Sequence, residues 1–128
     1  MKKAILYLFF AMAIMSLAMF TSCTDDSPSG VVKTYFSAMK SGNAEKAVKC
    51  TNVPEDMIKS RIKNYEKKIK RDDANMQLIK EGKVEILREE IDGDRAFVEI
   101  FIGVDGGMGI QMEVGLVNVD GQWKIKDE

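Results

Sequence analysis

The fold is decided by the stretch Asp92–Val104, DGDRAFVEIFIGV. After Arg95, small and branched apolar residues occupy every second position, and a period of two is typical of a β-strand with one buried face. The buried face is expected to hold Ala96, Val98, Ile100 and Ile102, with Phe97 and Phe101 on the other face. The preceding Asp-Gly pair predicts a two-residue turn, because such turns need positive φ. The stretch therefore predicts the centre of an antiparallel sheet.

Alternation continues in three segments on either side of this strand, and turns rich in Asp and Gly separate them. The segments are Val84–Ile91, Met108–Leu116 and Gln122–Lys126. Together they predict a four-stranded antiparallel meander that needs a helical layer over one face. Glycines concentrate between Gly103 and Gly115, which predicts a bulge or strong curvature in that hairpin.

Apolar residues at helical spacing fill the segment before the sheet. Ser27 or Asp26, followed by Pro28, predicts the start of a first helix, and Gly42 predicts its end. Asn43 then predicts the cap of a second, short helix.

A third helical segment follows Pro54 and combines an apolar stripe with a dense run of lysine and arginine. Such a helix can lie against an anionic surface, but the acidic residues among the basic ones favour a solvated outer face. Apolar spacing continues from Met76 to Gly82. Both a break near Asp72 and Asp73 and one long bent helix are compatible with the pattern.

The N-terminal residues read as a targeting segment. Two lysines precede an apolar run over residues 4–20, which is typical of a signal peptide. The following Thr21-Ser22-Cys23 resembles the lipobox of bacterial lipoproteins, with Phe20 in the place that usually holds leucine. The resemblance implies cleavage before Cys23 and attachment of a diacylglyceryl group, with fatty acids such as palmitate, to its sulfur. An uncleaved membrane anchor is the alternative.

Lipidation would hold the protein at the bacterial cell envelope, since two or more acyl chains give stable anchoring. Asp25 and Asp26 resemble an acidic signal that sends lipoproteins to the outer surface, and a solvated tether is the alternative. We therefore expect an outer-membrane protein on the periplasmic or surface face. The predicted units are a signal peptide at 1–22, a tether at 23–27 and one domain at 28–128.

Composition excludes several kinds of site. The 128 residues include no histidine, which removes the usual zinc site and the nucleophile systems that depend on histidine. A net charge of -1 argues against nucleic acid as a partner. We expect no metal and no cofactor. With a lipid on Cys23, Cys50 has no disulfide partner and is expected to be a buried core residue.

Two segments carry a resemblance to a known superfamily. Val31–Asn43, VVKTYFSAMKSGN, resembles the first helix of nuclear transport factor 2-like (NTF2-like) proteins, and Asp120–Lys126, DGQWKIK, resembles their closing strand. The chain is similar to small lipoproteins of that superfamily whose domain has no assigned function. The resemblance implies an α+β fold in which N-terminal helices pack on a curved four-stranded antiparallel sheet and leave a cone-shaped pocket. Isomerases, dehydratases, scaffolds and binding modules share that fold, so it does not choose a function.

Tyr35 is the candidate pocket residue. Its place matches a tyrosine that donates a hydrogen bond to an oxyanion in the isomerases of the superfamily. That chemistry needs a carboxylate base on the same pocket. The strand carboxylates are spaced as solvent-facing residues, and these are Glu85, Glu89, Glu99 and Glu113. Tyr35 as a core aromatic is the alternative, and no catalytic residue is assigned.

We therefore expect an envelope lipoprotein with a non-enzymatic domain that binds a ligand or another protein. The expected partners are the membrane, through the lipid on Cys23, and a small ligand or an envelope protein. Phe97 and Phe101 exposed on the open face of the sheet would indicate a homodimer through the sheet. The alternative is a small pocket enzyme of the isomerase or dehydratase type that uses Tyr35.

Overall fold

A computed structural model describes residues 27–71, 73–104 and 107–126, so the predicted signal peptide and Cys23 lie outside the described residues. Among the described residues, four helices and one 3-10 turn precede four strands, which confirms the expected α+β order. The elements are α1 (Pro28–Ser41), α2 (Ala44–Lys49), the 3-10 turn (Glu55–Met57), α3 (Ile58–Lys70), α4 (Ala74–Glu81), β1 (Lys83–Asp92), β2 (Arg95–Gly103), β3 (Gly109–Val119) and β4 (Gln122–Ile125).

The helix ends follow the capping residues in the sequence. The Ser27 side chain accepts a hydrogen bond from the N–H of Gly30, the third residue of α1, and Gly42 closes that helix at φ 80°. Asn43 caps α2 in the same way as Ser27 caps α1. Asp73 accepts from the N–H of Met76 at 2.9 Å and so begins a new helix. The chain therefore breaks near Asp73, and the alternative of one long bent helix is excluded.

The strands form one antiparallel sheet in the order β1-β2-β3-β4. Pairing of β2 with β3 runs without a shift from Arg95 opposite Val117 to Gly103 opposite Gly109. Of the two features expected in this hairpin, a bulge or strong curvature, the bulge is absent from the described residues of β2 and β3. The register shifts instead in β1, between Ile86 and Arg88.

The β1 irregularity changes which side chains face the helices. Ile86 pairs with Ile100, whose side chain is buried under the helices, whereas Arg88 pairs with Glu99 on the opposite face. An extra residue between two paired positions reverses the alternation that follows. Glu89, which pairs with Val98, therefore lies on the helix-facing side.

The core lies between the helices and the central strand β2. The side chains of the expected buried face of β2 are 1% exposed or less, and they are Ala96, Val98, Ile100 and Ile102. They pack in one cluster with α1 through Val31, Val32 and Phe36. A second cluster joins the helices to one another through Ala38, Met39, Ala47, Ile69 and Met76. Tyr35 packs against both clusters.

The segment after α2 covers the outer edge of β4. The N–H of Ile125 donates to the carbonyl of Cys50 at 2.8 Å, and the N–H of Asn52 donates to the carbonyl of Ile125 at 2.7 Å. Thr51 forms a parallel bridge with Ile125 between these bonds. The last strand of the sheet is thus held between β3 and the helical half of the chain.

Ile100→Ala should lower the free energy of unfolding by about 2–5 kcal/mol, because it opens a cavity under the helices. Ile110→Ala removes the same atoms from the same side of the sheet, but Ile110 is 43% exposed against 0% for Ile100. We expect Ile110→Ala to lower the free energy of unfolding by less than about 1 kcal/mol. Urea unfolding of the full chain followed by circular dichroism measures both values. Equal losses would contradict the assigned core.

Candidate functional site

Tyr35 lies on α1 with its ring between two other aromatic side chains. Its ring centroid is 5.1 Å from that of Phe36 and 6.2 Å from that of Tyr65, both in edge-on arrangements. The Tyr35 hydroxyl donates to the Tyr65 hydroxyl at 3.3 Å. Tyr65 also lies under the ammonium group of Lys68, 5.9 Å from the ring centroid. Tyr35 therefore joins α1 to α3.

Burial raises the pKa of the Tyr35 phenol well above its usual range, and the Tyr65 hydroxyl adds to that effect. Desolvation is the larger cause, since an apolar environment disfavours the phenolate. Tyr35 is therefore a neutral hydrogen-bond donor at physiological pH, which is the state that an oxyanion would need. Its proton, however, is directed at another tyrosine.

The strand carboxylates are not placed around Tyr35. Glu89 is exposed, as expected, but the β1 irregularity directs it towards the start of α1. Its Oε1 accepts from the N–H and the hydroxyl of Ser29 at 2.9 and 2.8 Å. A carboxylate there is favourable, because the N–H groups at a helix start carry partial positive charge. On the other face, Glu99 accepts from the side-chain amide of Gln111.

A shallow cleft of about 240 Å³ lies beside the outer edge of β4. Its lining combines aliphatic side chains with two lysines, and it consists of Val48, Lys49, Thr51, Asn52, Val53, Ile58, Val119 and Lys124. The Lys124 ammonium donates to the carbonyl of Lys49 at 2.6 Å. Burial, and then the charge of Lys49, lower the pKa of Lys124. Sequence reasoning missed this cleft, because its residues come from α2, the following loop, α3, β3 and β4.

The open face of the sheet carries the two phenylalanines expected there. Phe97 is 44% exposed, whereas Phe101 is half-buried. A Cβ added to Gly109 would lie 2.6 Å from Phe101 Cζ, so the ring occupies the space that a side chain there would need. Phe97 thus fits the expected homodimer face, but Phe101 covers the glycines of its own hairpin.

The helix-facing side of β3 is only half covered. Ile110 pairs with Ile102 and Met112 with Ile100, and both partners are buried. Ile110 itself is 43% exposed and Met112 is 40% exposed, while Met108, just before β3, is 77% exposed. We call Met108, Ile110 and Met112 the β3 patch. The alternation in the sequence predicts the side on which these residues lie, but not that the helices leave them uncovered.

Cys50 is fully buried in the core cluster, as expected. Cys50 is disulfide-bonded in the structure, and no described cysteine is free. This contradicts the expectation that Cys50 lacks a disulfide partner. Cys23, the other cysteine of the sequence, lies outside the described residues. A sulfur that carries a lipid cannot also join a disulfide, so lipidation of Cys23 and a disulfide between the two cysteines are mutually exclusive.

Within 27–71, 73–104 and 107–126, no cluster of three or more histidine, cysteine or acidic residues could hold a metal ion. No helix in these ranges is long and apolar enough to cross a membrane.

The Asp-Gly turns at Gly93 and Gly121 have positive φ, as expected for tight turns between strands.

Comparisons with known proteins agree on the fold. Residues 21–126 match a family profile described as a domain of unknown function, DUF4878. An NTF2-like protein from Campylobacter jejuni, to which a transpeptidase activity is ascribed, superposes with a TM-score of 0.59 at 14% identity, over 79% of this chain and 98% of that chain. A SEC-C motif-containing protein from Rhodopseudomonas palustris gives 0.52 at 17% identity, over 87% and 82%. The sequence has no match among curated proteins. The NTF2-like fold expected from the first helix and closing strand is confirmed.

Tyr35→Phe should change how stability depends on pH. Because the pKa of Tyr35 is raised in the folded state, its contribution is fully present below the ordinary phenol value of about 10 and is lost as the pH rises above it. The free energy of unfolding should fall by up to about 1.4 kcal/mol per pH unit more steeply in the wild type than in Tyr35→Phe above pH 10. Denaturant titrations between pH 7 and pH 11 measure this difference.

Tyr65→Phe is the matched control, since it removes the acceptor and leaves the Tyr35 phenol in place. This variant should keep the steep decline above pH 10. Lysine titration is common to all three proteins and cancels in the comparison. Parallel curves for the wild type and Tyr35→Phe would show that the Tyr35 phenol is not buried.

Proposed function

Because the chain belongs to the DUF4878 family, whose domain has no assigned function, we propose that it is a lipid-anchored protein of the cell envelope with a non-enzymatic protein-interaction domain. The signal-peptide pattern and the lipobox resemblance at Cys23 support the anchor. The exposed β3 patch supports the interaction role. The observation that carries it is that Ile110 and Met112 remain exposed on the side of the sheet that the helices cover elsewhere, with the exposed Met108 just before them in the chain.

The distance between anchor and domain follows from the sequence and α1. Helix α1 begins at Pro28, five residues after Cys23. A fully extended chain advances about 3.3–3.6 Å per residue, so the start of α1 would lie within about 18 Å of the lipidated sulfur. The domain is therefore expected to stay close to the membrane surface. Its partners there would be other membrane-associated envelope proteins rather than freely diffusing ones.

The alternative of a pocket enzyme that uses Tyr35 has less support. The Tyr35 hydroxyl donates its hydrogen bond to Tyr65. The described strand carboxylates accept hydrogen bonds from other residues or lie at exposed positions. General acid–base chemistry needs a base within hydrogen-bond reach of the reacting group. Binding of a small ligand is the second candidate function, and the cleft at Lys124 favours an anion with an apolar body.

The anchor is tested by labelling cells that express the full chain with palmitate. The wild type should carry the label and fractionate with the membrane, and mass spectrometry should give a mature N-terminus at Cys23. Cys23→Ala should lose the label, because lipidation uses the Cys23 sulfur. Cys50→Ala is the matched control and should keep it. A processed, lipid-bearing Cys23→Ala protein would contradict the assignment.

A further inference from the structure

Half of strand β3 has an open edge. Strand β3 runs from Gly109 to Val119, whereas β4 pairs only with Leu116 to Val119. One further bond joins the N–H of Lys126 to the carbonyl of Gly115 at 2.9 Å. On the side of β3 away from β2, no strand in the described part of the chain pairs with Gly109–Val114.

The carbonyl of Gly115 identifies the backbone groups on this edge. In an antiparallel strand, the N–H and C=O of one residue point to the same side, and successive residues alternate. Since Gly115 points to the β4 side, Gly109, Gln111 and Glu113 point there too. Their side chains lie on the open face of the sheet, and those of the intervening Ile110 and Met112 lie on the helix-facing side.

The two edges of the sheet differ in how they are protected. The edge strand β1 carries a register shift and a high density of charge, and its charged residues are Lys83, Glu85, Arg88, Glu89, Glu90 and Asp92. Charges and bulges on an edge oppose pairing with another chain. The open part of β3 has regular pairing and a single charge, at Glu113. It is the edge suited to accept another strand.

We propose that this edge pairs with the same edge of a second copy of the chain, antiparallel about a two-fold axis at Gln111. In this register Gln111 meets Gln111 of the second copy, and Gly109 meets its Glu113. Ile110 lies opposite the Met112 of the second copy on the helix-facing side, so these two side chains of the β3 patch pack against those of the second copy. The two sheets then form one continuous sheet.

The charge and the length of this open edge favour a second copy of the chain as the pairing strand. The axis at Gln111 uses all of Gly109–Glu113 and places each carboxylate opposite a glycine, so no like charges meet. An axis at Glu113 would oppose two carboxylates and bring the second copy into the place where Lys126 bonds to Gly115. Five paired residues form an interface below the usual size of a stable complex, so the dimer should be weak and concentration-dependent. The inference rests on the proposed interaction role of the β3 patch and not on the lipid anchor.

Sedimentation of the full chain in detergent over a range of concentrations tests the dimer. Met112→Lys should raise the dissociation constant of the dimer at least tenfold, because it places a charge in the apolar contact. Met57→Lys is the matched control, since Met57 is 41% exposed and Met112 is 40% exposed. It should change the constant less than twofold. Circular dichroism should show all three proteins equally folded.

Cysteine cross-linking tests the register. In the proposed pairing the two Gln111 Cα atoms lie about 5.5 Å apart, which suits a disulfide. The two Glu113 Cα atoms would be four residues out of register and more than about 13 Å apart. Under mild oxidation, Gln111→Cys should form covalent dimers at least tenfold faster than Glu113→Cys or the wild type.

Three results would overturn the inference. One is a monomer at every concentration reached, with no Gln111→Cys dimer. Another is a dimer that survives Met112→Lys but is lost on Phe97→Lys, which would place the contact on the open face of the sheet. The third is an edge that binds an extended segment of a different protein and never self-associates. Palmitate labelling at Cys23 would be unaffected by each of them, so failure of the dimer is distinguishable from failure of the anchor.

Discussion

The structure depends on burying one face of β2. Four side chains of this strand lie at 1% exposure or less, and each of the three larger ones, Val98, Ile100 and Ile102, contributes about 1.5–3 kcal/mol relative to exposure. Val31, Val32 and Phe36 of α1 cover them. The helical layer covers the central strand β2 and does not extend over the start of β3. The β3 patch is thus a consequence of a helical layer narrower than the sheet beneath it.

The order of elements, the helix caps and the turns could be predicted, because each depends on local chemistry at Ser27, Gly42, Gly93 and Gly121. The irregularity in β1 was missed, although the sequence carries a signal for it. Val84 and Ile86 occupy even positions and Ile91 an odd one, so one apolar face requires an extra residue between them. In the β2–β3 hairpin the predicted bulge was wrong, because Gly103 and Gly109 make room for the Phe101 ring without a shift in register. The other feature expected there, strong curvature of the sheet, stays a prediction.

The candidate site was harder to predict than the fold. The place of Tyr35 on the buried side of α1 follows from helical spacing, but its partner does not. Tyr65 lies on α3, and the position of α3 against α1 depends on the loop after Cys50 and on packing between helices. The cleft at Lys124 likewise combines residues far apart in sequence. Sites of this kind are fixed by tertiary contacts, which periodicity and composition do not encode.

The pairing of Thr51 with Ile125 has a consequence for the order of folding. These residues are separated by most of the domain, and the backbone bonds around them fix both the end of the helical half and the last strand. Contacts between distant parts of a chain form late, because the loop that they close must be ordered first. The helical half cannot complete its native contacts until the last strand has left the ribosome. The segment after α2 therefore reaches its native position only once Ile125 has been synthesised, so the start and the end of the domain become ordered together.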